Sequence, residues 1–191
     1  MAYTHSDRPV IQAKIMIGGG FGVGKTTAVG AVSEIEPLST EELLTAASVT
    51  TDCLDGVEDK SHTTVALDWG RITIHTGLVL YLFGTPGQER YWFMWDELCL
   101  GALGAIVLAD TRRLQACFQA IDFFERRRIP FIVAVNEFDG ADRYGTEEVR
   151  AALRLATGVP VLACDARKRH SVKHVLITLV EYVLTTRSHA G

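Results

Sequence analysis

The sequence predicts a single α/β domain, and three observations lead to this prediction. Short apolar runs of strand length alternate with segments of helical periodicity along the chain. The 191 residues, 48% of them hydrophobic, are enough to bury one core of ordinary domain size. Glycine-rich and polar motifs directly follow several of the apolar runs, which is where an open α/β sheet places its ligands.

The elements follow in order from the spacing of the apolar residues. Strands are predicted at 13–17, at 64–69 continuing as 71–75, and at 78–83, 104–109, 130–135 and 160–163. Helices are predicted at 25–33, 114–127, 146–156 and 171–184. Gly70 marks a bulge or a turn, and the second and third strands lie close enough in the chain to pair antiparallel. The connection at 34–63 is of a length that is usually functional or mobile in a small domain.

A phosphate-binding loop joins the first strand to the first helix. Its residues are Gly19, Gly20, Phe21, Gly22, Val23, Gly24, Lys25 and Thr26. Glycines let successive backbone N–H groups turn inward around a phosphate, and the following helix adds the positive end of its dipole. The strand before the loop and the helix after it supply the context that this motif requires. The sequence therefore predicts a nucleoside diphosphate or triphosphate as ligand, with Lys25 on the phosphates and the Thr26 hydroxyl on Mg²⁺.

Composition and charge argue against several classes of function. The net charge of −4 and the pI near 5.9 argue against nucleic acid as a partner. No apolar stretch approaches the length of a membrane span, so direct membrane insertion is not expected. The four cysteines form no CxxC pair and are typical of small core residues in a reducing compartment. A cytoplasmic protein, recruited to a membrane only through a partner, is the expectation.

Further motifs follow the third, fifth and sixth predicted strands. They are Gly84-Thr85-Pro86-Gly87-Gln88, Asn136-Glu137-Phe138-Asp139 and Asp165-Ala166-Arg167. Together with the phosphate loop and Thr64, their order and spacing resemble the Ras-like small GTPases over essentially the whole chain. Within that superfamily the chain looks most like the bacterial branch of gliding-polarity and conservon-type GTPases. The resemblance implies a phosphate-loop NTPase fold, with a mixed six-stranded sheet, one antiparallel strand and helices on both faces.

The resemblance also implies a guanine site, with GTP or GDP and Mg²⁺ as cofactors. Asn136 and Asp139 match the turn whose aspartate accepts two hydrogen bonds from the guanine N1–H and exocyclic amine, a donor pair that adenine lacks. The alternative is an ordinary Asn-x-x-Asp turn, which is common in loops. Ala166 would donate its backbone N–H to the guanine O6, and Arg167 could cover one face of the base. Asp165 belongs to the same turn.

Other residues are assigned by the resemblance to the phosphates and to catalysis. Gln88 matches the glutamine that orients the attacking water. Thr64, or less well Thr63, matches the threonine that closes over Mg²⁺ and the γ-phosphate, although hydroxyl residues are common beside strands. Thr27 and Gly87 complete the set of nucleotide-binding residues. The partners implied are regulatory proteins, among them a roadblock-type activator.

The chain departs from the family's pattern at several positions. Gly84 stands where relatives carry the aspartate that anchors Mg²⁺ through water, so an aspartate restored there is expected to tighten Mg²⁺-dependent binding. Phe21 stands where many relatives keep glycine, and Glu137 replaces a lysine whose stem covers the base. These changes predict slow hydrolysis. The aromatic run 92–95 either packs against the sheet or forms a face for a partner.

Three functions fit these residues. The first is a regulatory GTPase that hydrolyses GTP slowly and changes the 34–63 and 84–96 segments when the γ-phosphate is lost. The second is a nucleotide-binding interaction protein with little or no turnover, which Phe21 and Gly84 favour and which Gln88 and Thr64 oppose. The third is a small-molecule kinase or an ATPase, which would need an acceptor pocket and a lid that the sequence does not indicate. The first is the preferred prediction.

Overall fold

A mixed β-sheet forms the centre of the protein. The computed structural model describes residues 10–39, 67–87 and 93–188, and the bounds below refer to these residues. The strands are β1 Ile11–Gly18, β2 Leu38–Ser39, β3 Asp68–His75, β4 Leu78–Gly84, β5 Ala102–Ala109, β6 Phe131–Asn136 and β7 Val161–Cys164. The helices are α1 Lys25–Val32, α2 Trp95–Cys99, α3 Phe118–Arg126, α4 Thr146–Ala152 and α5 Arg169–Ser188, with a 3₁₀ helix at Thr111–Cys117 before α3.

The strands are arranged in the order β2-β3-β4-β1-β5-β6-β7. Strands β4, β1, β5, β6 and β7 are parallel, and β3 runs antiparallel to both of its neighbours. The mixed sheet predicted from the sequence, with its one antiparallel strand, is confirmed. The two-residue β2 extends that sheet at its edge, and nothing in the sequence predicts it because so short a strand exists only through its pairing with β3.

Gly70 lies inside β3 and pairs with Leu82, so the turn considered at this position does not form. The register of β3 against β4 shifts later, between Thr73 and His75. A Cβ atom at position 70 would lie 2.7 Å from Cγ1 of Val29 on α1. The glycine therefore serves close packing between helix and strand, which is a second reason for glycine in a strand.

Helices cover both faces of the sheet, as predicted. On one face, α1 and α5 bury Val29, Leu176 and Leu179 against alternate residues of β1 such as Ile15 and Ile17. On the other face, helices α2, α3 and α4 pack against the side that carries Met16. The alternation along β1 thus feeds two separate cores, as expected for a strand that is buried on both faces.

The aromatic run after the 84–87 turn divides between core and surface. Trp95 is buried, and its ring lies edge-on at 5.2 Å from the ring of Phe123 on α3. Its indole N–H donates to the carbonyl of Pro86, which ties α2 to the turn. Phe93 is 75% exposed. Residue 92 lies outside the described residues.

Three helices differ from their predicted bounds by several residues, and one of them, α5, spans Arg169–Ser188 where 171–184 was predicted. The segment predicted as one helix from residue 114 starts as the 3₁₀ helix, because the buried Asp110 accepts a hydrogen bond from the Arg112 N–H and caps a tighter turn. Helix α4 ends at Ala152, four residues earlier than predicted, and Arg154 follows in the left-handed region at φ 54°. Within the described ranges, no helix combines the length and the apolar composition that a membrane crossing requires.

Candidate nucleotide-binding site

The glycines of the phosphate loop allow contacts that a side chain would prevent. Gly19 has φ +132°, and a Cβ atom there would lie 2.5 Å from the carbonyl oxygen of Leu108 at the end of β5. Gly24 has φ +101° at the start of α1, and a Cβ atom there would lie 2.7 Å from Nδ2 of Asn136. Residues with side chains rarely adopt such backbone angles. The loop is therefore held close to the ends of β5 and β6.

Lys25 is buried at the centre of this loop. Its side chain is 8% exposed, and Nζ donates hydrogen bonds to the carbonyl oxygens of Gly19 at 2.9 Å and Gly20 at 2.8 Å. Burial lowers the pKa of Lys25 from 10.5 to about 8, while the nearby Asp68 carboxylate acts in the opposite direction. A cation held in a low-dielectric loop is suited to an anionic partner.

The 84–87 turn lies over the phosphate loop. A Cβ atom at Gly87 would lie 2.8 Å from Nζ of Lys25 and 3.0 Å from Cα of Phe21. The N–H of Thr85 donates to the carbonyl of Ile17 at 2.9 Å, which joins the turn to the end of β1. The Phe21 side chain itself is 66% exposed. The structure thus brings together the two glycine-containing motifs that the sequence assigned to the phosphates.

Thr26 and Asp68 form a contact that no motif in the sequence indicates. The hydroxyl of Thr26, the residue assigned to Mg²⁺, donates to Oδ2 of Asp68 at 2.8 Å. Asp68 is the first residue of β3 and pairs with Gly84, the last residue of β4. In the sequence, residue 68 is one polar position in an alternating strand. Its role could have been inferred only from the antiparallel pairing of the two strands, which places residue 68 beside residue 84.

Asn136 connects the two halves of the site. Its buried side chain accepts a hydrogen bond from the Ala166 N–H at 3.0 Å and donates one to the carbonyl of Val23 at 2.9 Å. The phosphate loop, the end of β6 and the 165–167 turn are thereby joined through one amide. The N–H of Ala166, which the resemblance assigns to the guanine O6, is directed to Asn136 in this structure.

Arg167 bridges two carboxylates at the far end of the site. Its guanidinium donates to both carboxylate oxygens of Asp139, at 2.7 and 3.2 Å, and to Oδ1 of Asp165 at 2.9 Å. These contacts lower the pKa of both aspartates and raise that of Arg167. Asp139 is 87% exposed, so its pair with Arg167 is open to solvent and to competitors.

A cavity of about 370 Å³ joins these parts. It is lined by Gly22, Gly24 and Thr27 of the loop and its helix, by residues 136–139, and by the 166–167 turn. Arg112, which belongs to none of the sequence motifs, completes the wall, and its guanidinium carbon lies 3.9 Å from the ring centroid of Phe138. Arg112 is held there by a salt bridge to Asp110 at 2.8 Å. Only the position of Asp110 at a strand end hints at this pair.

Two residues predicted to belong to this site lie outside the part of the chain that the structure describes. They are Gln88, predicted to orient the attacking water, and Thr64, predicted to close over Mg²⁺. Both assignments stay predictions. Glu137, which stands in place of a lysine, forms an exposed ion pair with Arg143 at 3.3 Å.

The fold and sequence of the chain match known proteins. Solved structures with a similar fold include the cytosolic domain of the FeoB iron transporter of T. maritima, with a TM-score of 0.65 and 19% identity over 92% of this chain and 64% of that one. The FeoB G-domain of Methanococcus jannaschii has a TM-score of 0.59 and 14% identity, over 90% of this chain and 98% of that domain. This chain thus spans less than two thirds of the FeoB cytosolic domain, although it spans nearly all of the separate G-domain.

Two comparisons of sequence identify the family. An uncharacterized protein of Methanocaldococcus jannaschii is 30% identical over 133 residues, which are 69% of this chain and 73% of that protein. The family model described as conserved hypothetical ATP binding protein matches residues 17–186. Neither comparison bears on the gliding-polarity and conservon branch, so that assignment stays a prediction. The chain belongs to the family of conserved hypothetical ATP-binding proteins, and it has the fold of a G-domain with a phosphate-binding loop.

Proposed function

We propose that this protein is a regulatory guanine-nucleotide-binding protein that hydrolyses GTP slowly and signals the change to partner proteins. The observation that carries the proposal is the set of hydrogen bonds made by Asn136, because it joins the phosphate loop to the turn that carries Ala166. A ligand that fits both ends must have phosphates at one end and a hydrogen-bonding ring at the other. A nucleotide has this form.

Guanine is the base that suits Asp139 best. Asp139 accepts hydrogen bonds from two N–H groups of Arg167, one on each carboxylate oxygen, and guanine also offers two donors through its N1–H and exocyclic amine. Adenine has an acceptor at N1 and does not match a carboxylate pair. The family's description names ATP, so the choice of base is the first point to test.

Competition binding to the wild-type protein separates the two bases. A fluorescent GDP analogue is bound first, and GDP, GTP, ADP and ATP are then added in turn. Guanine nucleotides are expected to displace the probe at concentrations at least about a hundredfold lower than adenine nucleotides, because adenine offers no pair of donors to the Asp139 carboxylate. Equal displacement by ATP and GTP would show that Asn136 and Asp139 form an ordinary turn.

Mg²⁺ is proposed as the companion of the nucleotide. Thr26 supplies a hydroxyl beside the phosphate loop, and hydroxyl, phosphate and water oxygens are the ligands that Mg²⁺ prefers. When bound, the ion would neutralise charge on the phosphates. Lys25 would hold the same phosphates from inside the loop, and the N–H groups of the loop would orient them.

Slow, partner-dependent turnover is proposed for two reasons. Gly84 places no carboxylate in the turn before Gln88, so that turn has no anchor of its own on the metal. The exposed Phe21 lies beside Gly87, where its side chain can crowd the γ-phosphate. A partner docked on the 84–96 segment, such as a roadblock-type protein, would order the turn. The second candidate is a nucleotide-binding interaction protein without turnover, and Phe21 is the observation that favours it.

Multiple-turnover phosphate release distinguishes these two candidates. The wild-type protein is expected to release phosphate slowly alone and faster with its activator, whereas Gln88→Ala should bind GTP and the activator normally but lose the stimulation. Stimulated hydrolysis that survives in Gln88→Ala would mean that another group orients the water. No phosphate release beyond the first turnover, with or without activator, would favour the interaction protein.

A further inference from the structure

The turn after β4 lacks a carboxylate, but its neighbouring strand supplies one at the same place. Asp68 and Gly84 are paired residues in the antiparallel ladder of β3 and β4. A Cβ atom at position 84 would lie 2.9 Å from Oδ2 and 3.0 Å from Cβ of Asp68. The Asp68 side chain therefore fills the space into which a side chain at position 84 would extend.

The same carboxylate contacts the phosphate loop. Oδ2 of Asp68 accepts the hydrogen bond of the Thr26 hydroxyl at 2.8 Å, and its negative charge acts on Lys25. Because β3 and β4 are antiparallel, the first residue of β3 lies at the edge of the sheet where β4 ends. A carboxylate can thus reach this edge from either strand, from position 84 or from position 68.

We propose that Asp68 is the carboxylate through which this protein holds Mg²⁺ beside Thr26. The inference rests on the nucleotide site proposed above and names the residue that serves the metal there. Among the described residues, no three histidine, cysteine or acidic side chains form a metal cluster. A site with one carboxylate, one hydroxyl, phosphate oxygens and retained water is the arrangement in which Mg²⁺ accompanies nucleotides.

The position of the Asp68 carboxylate explains why glycine is present at position 84. With Asp68 in place, a second aspartate at position 84 would set two carboxylates side by side, with an oxygen of one within 2.9 Å of the Cβ atom of the other. Crowding and like-charge repulsion both oppose that arrangement. The structure therefore revises the expectation from the sequence: Gly84→Asp alone should lower the thermal midpoint and weaken Mg²⁺ binding.

The decisive experiment measures how Mg²⁺ slows the dissociation of a fluorescent GDP analogue. Asp68→Asn keeps an acceptor for the Thr26 hydroxyl but removes the charge. The Mg²⁺ concentration needed for the effect is expected to rise by about tenfold or more, the loss seen when groups that support a metal site are replaced. Dissociation in the presence of a chelator should stay as in the wild type. A matched control is Asp122→Asn, which removes the charge of an exposed aspartate on α3, outside the 84–96 segment and the nucleotide site.

A paired exchange tests whether the two positions are equivalent. Asp68→Gly should lose the Mg²⁺ response, and Asp68→Gly combined with Gly84→Asp should regain it, with folding of each variant checked by circular dichroism. A folded double variant that responds no better than Asp68→Gly would contradict the equivalence. An unchanged Mg²⁺ response in Asp68→Asn would overturn the inference and leave the nucleotide site standing. A wild-type protein that binds no nucleotide would overturn both.

Discussion

The buried Lys25 predicts a pH dependence of stability that can be measured with a single substitution. Burial lowers the pKa of Lys25 from 10.5 to about 8 in the folded protein. Each pKa unit corresponds to about 1.4 kcal/mol, so the charged side chain costs the folded state about 3 kcal/mol at neutral pH. The phosphate loop therefore carries a destabilising charge whose removal should be visible in unfolding experiments.

The sign of the effect follows from proton binding. Below about pH 8 the lysine is charged in both the folded and the unfolded protein, and the whole cost is present. Between about pH 8 and 10.5 the folded protein loses the proton before the unfolded chain does, so the free energy of unfolding rises with pH. Relative to Lys25→Met, the wild type should gain roughly 2 kcal/mol between about pH 7 and 9.5.

Methionine is the suitable replacement because it keeps the apolar stem in the loop. The substitution also removes the hydrogen bonds to the carbonyls of Gly19 and Gly20. Losing each bond costs roughly 1 kcal/mol, but that loss is the same at every pH. Burial raises the pKa of Cys117 to about 11, and this thiol is present in both proteins. The difference between the two pH profiles therefore isolates the lysine.

The assay is urea unfolding of nucleotide-free protein, followed by tryptophan fluorescence with the buried Trp95 as one reporter. Wild type and Lys25→Met are measured at several pH values between about 7 and 9.5. Saturating nucleotide should raise the pKa of Lys25 and abolish the rise in the wild type, and Lys25→Met should bind nucleotide weakly or not at all. A difference between the two proteins that is independent of pH would refute the reasoning.

Three further predictions concern the frame of the site and the choice of base. Asn136→Ala should lower the free energy of unfolding by roughly 2–4 kcal/mol, because two buried backbone groups lose their partner; a loss well below this in urea would contradict the role assigned to the amide. Gly24→Ala, at the residue before α1, should destabilise the protein through its positive φ and close contact. Gly30→Ala, with open space inside α1, should stabilise it by up to about 1 kcal/mol. Equal effects would refute the distinction. Asp139→Asn should weaken guanine binding and favour xanthine nucleotides in a competition assay, and an unchanged preference would remove Asp139 from the base site.

Much of the fold could be predicted from the sequence because its signals are local. Apolar runs and helical periodicity predict the main elements within a few residues. The glycines of the phosphate loop predict a tight turn between the first strand and the first helix. The residues that follow the strands were expected at one edge of the sheet, and Lys25, Asn136 and Ala166 do meet there.

The remainder depends on contacts between residues distant in the chain. The partner of Gly84 is set by the register of β3 against β4, and the contact between Thr26 and Asp68 spans 42 residues. The ion pairs of Arg167 with Asp139 and Asp165 are likewise absent from the sequence pattern, and the prediction that Arg167 covers one face of the base stays a prediction. Periodicity carries no information on such pairings. The strand β2 escaped prediction for the same reason.

The antiparallel pairing of β3 and β4 has a consequence for communication within the molecule. In a chain with an aspartate at position 84, the residue that holds the metal and the glutamine four residues later belong to one short peptide. Here the anchor at position 68 is the first residue of β3, which follows the connection from α1. Loss of the metal would then be transmitted backwards along that connection, and the turn carrying Gln88 could be rearranged by a partner without disturbing the ion. The ligand would thus change the conformation of the connection before β3, and a partner protein would change the turn that carries Gln88. Both segments adjoin the same phosphate loop.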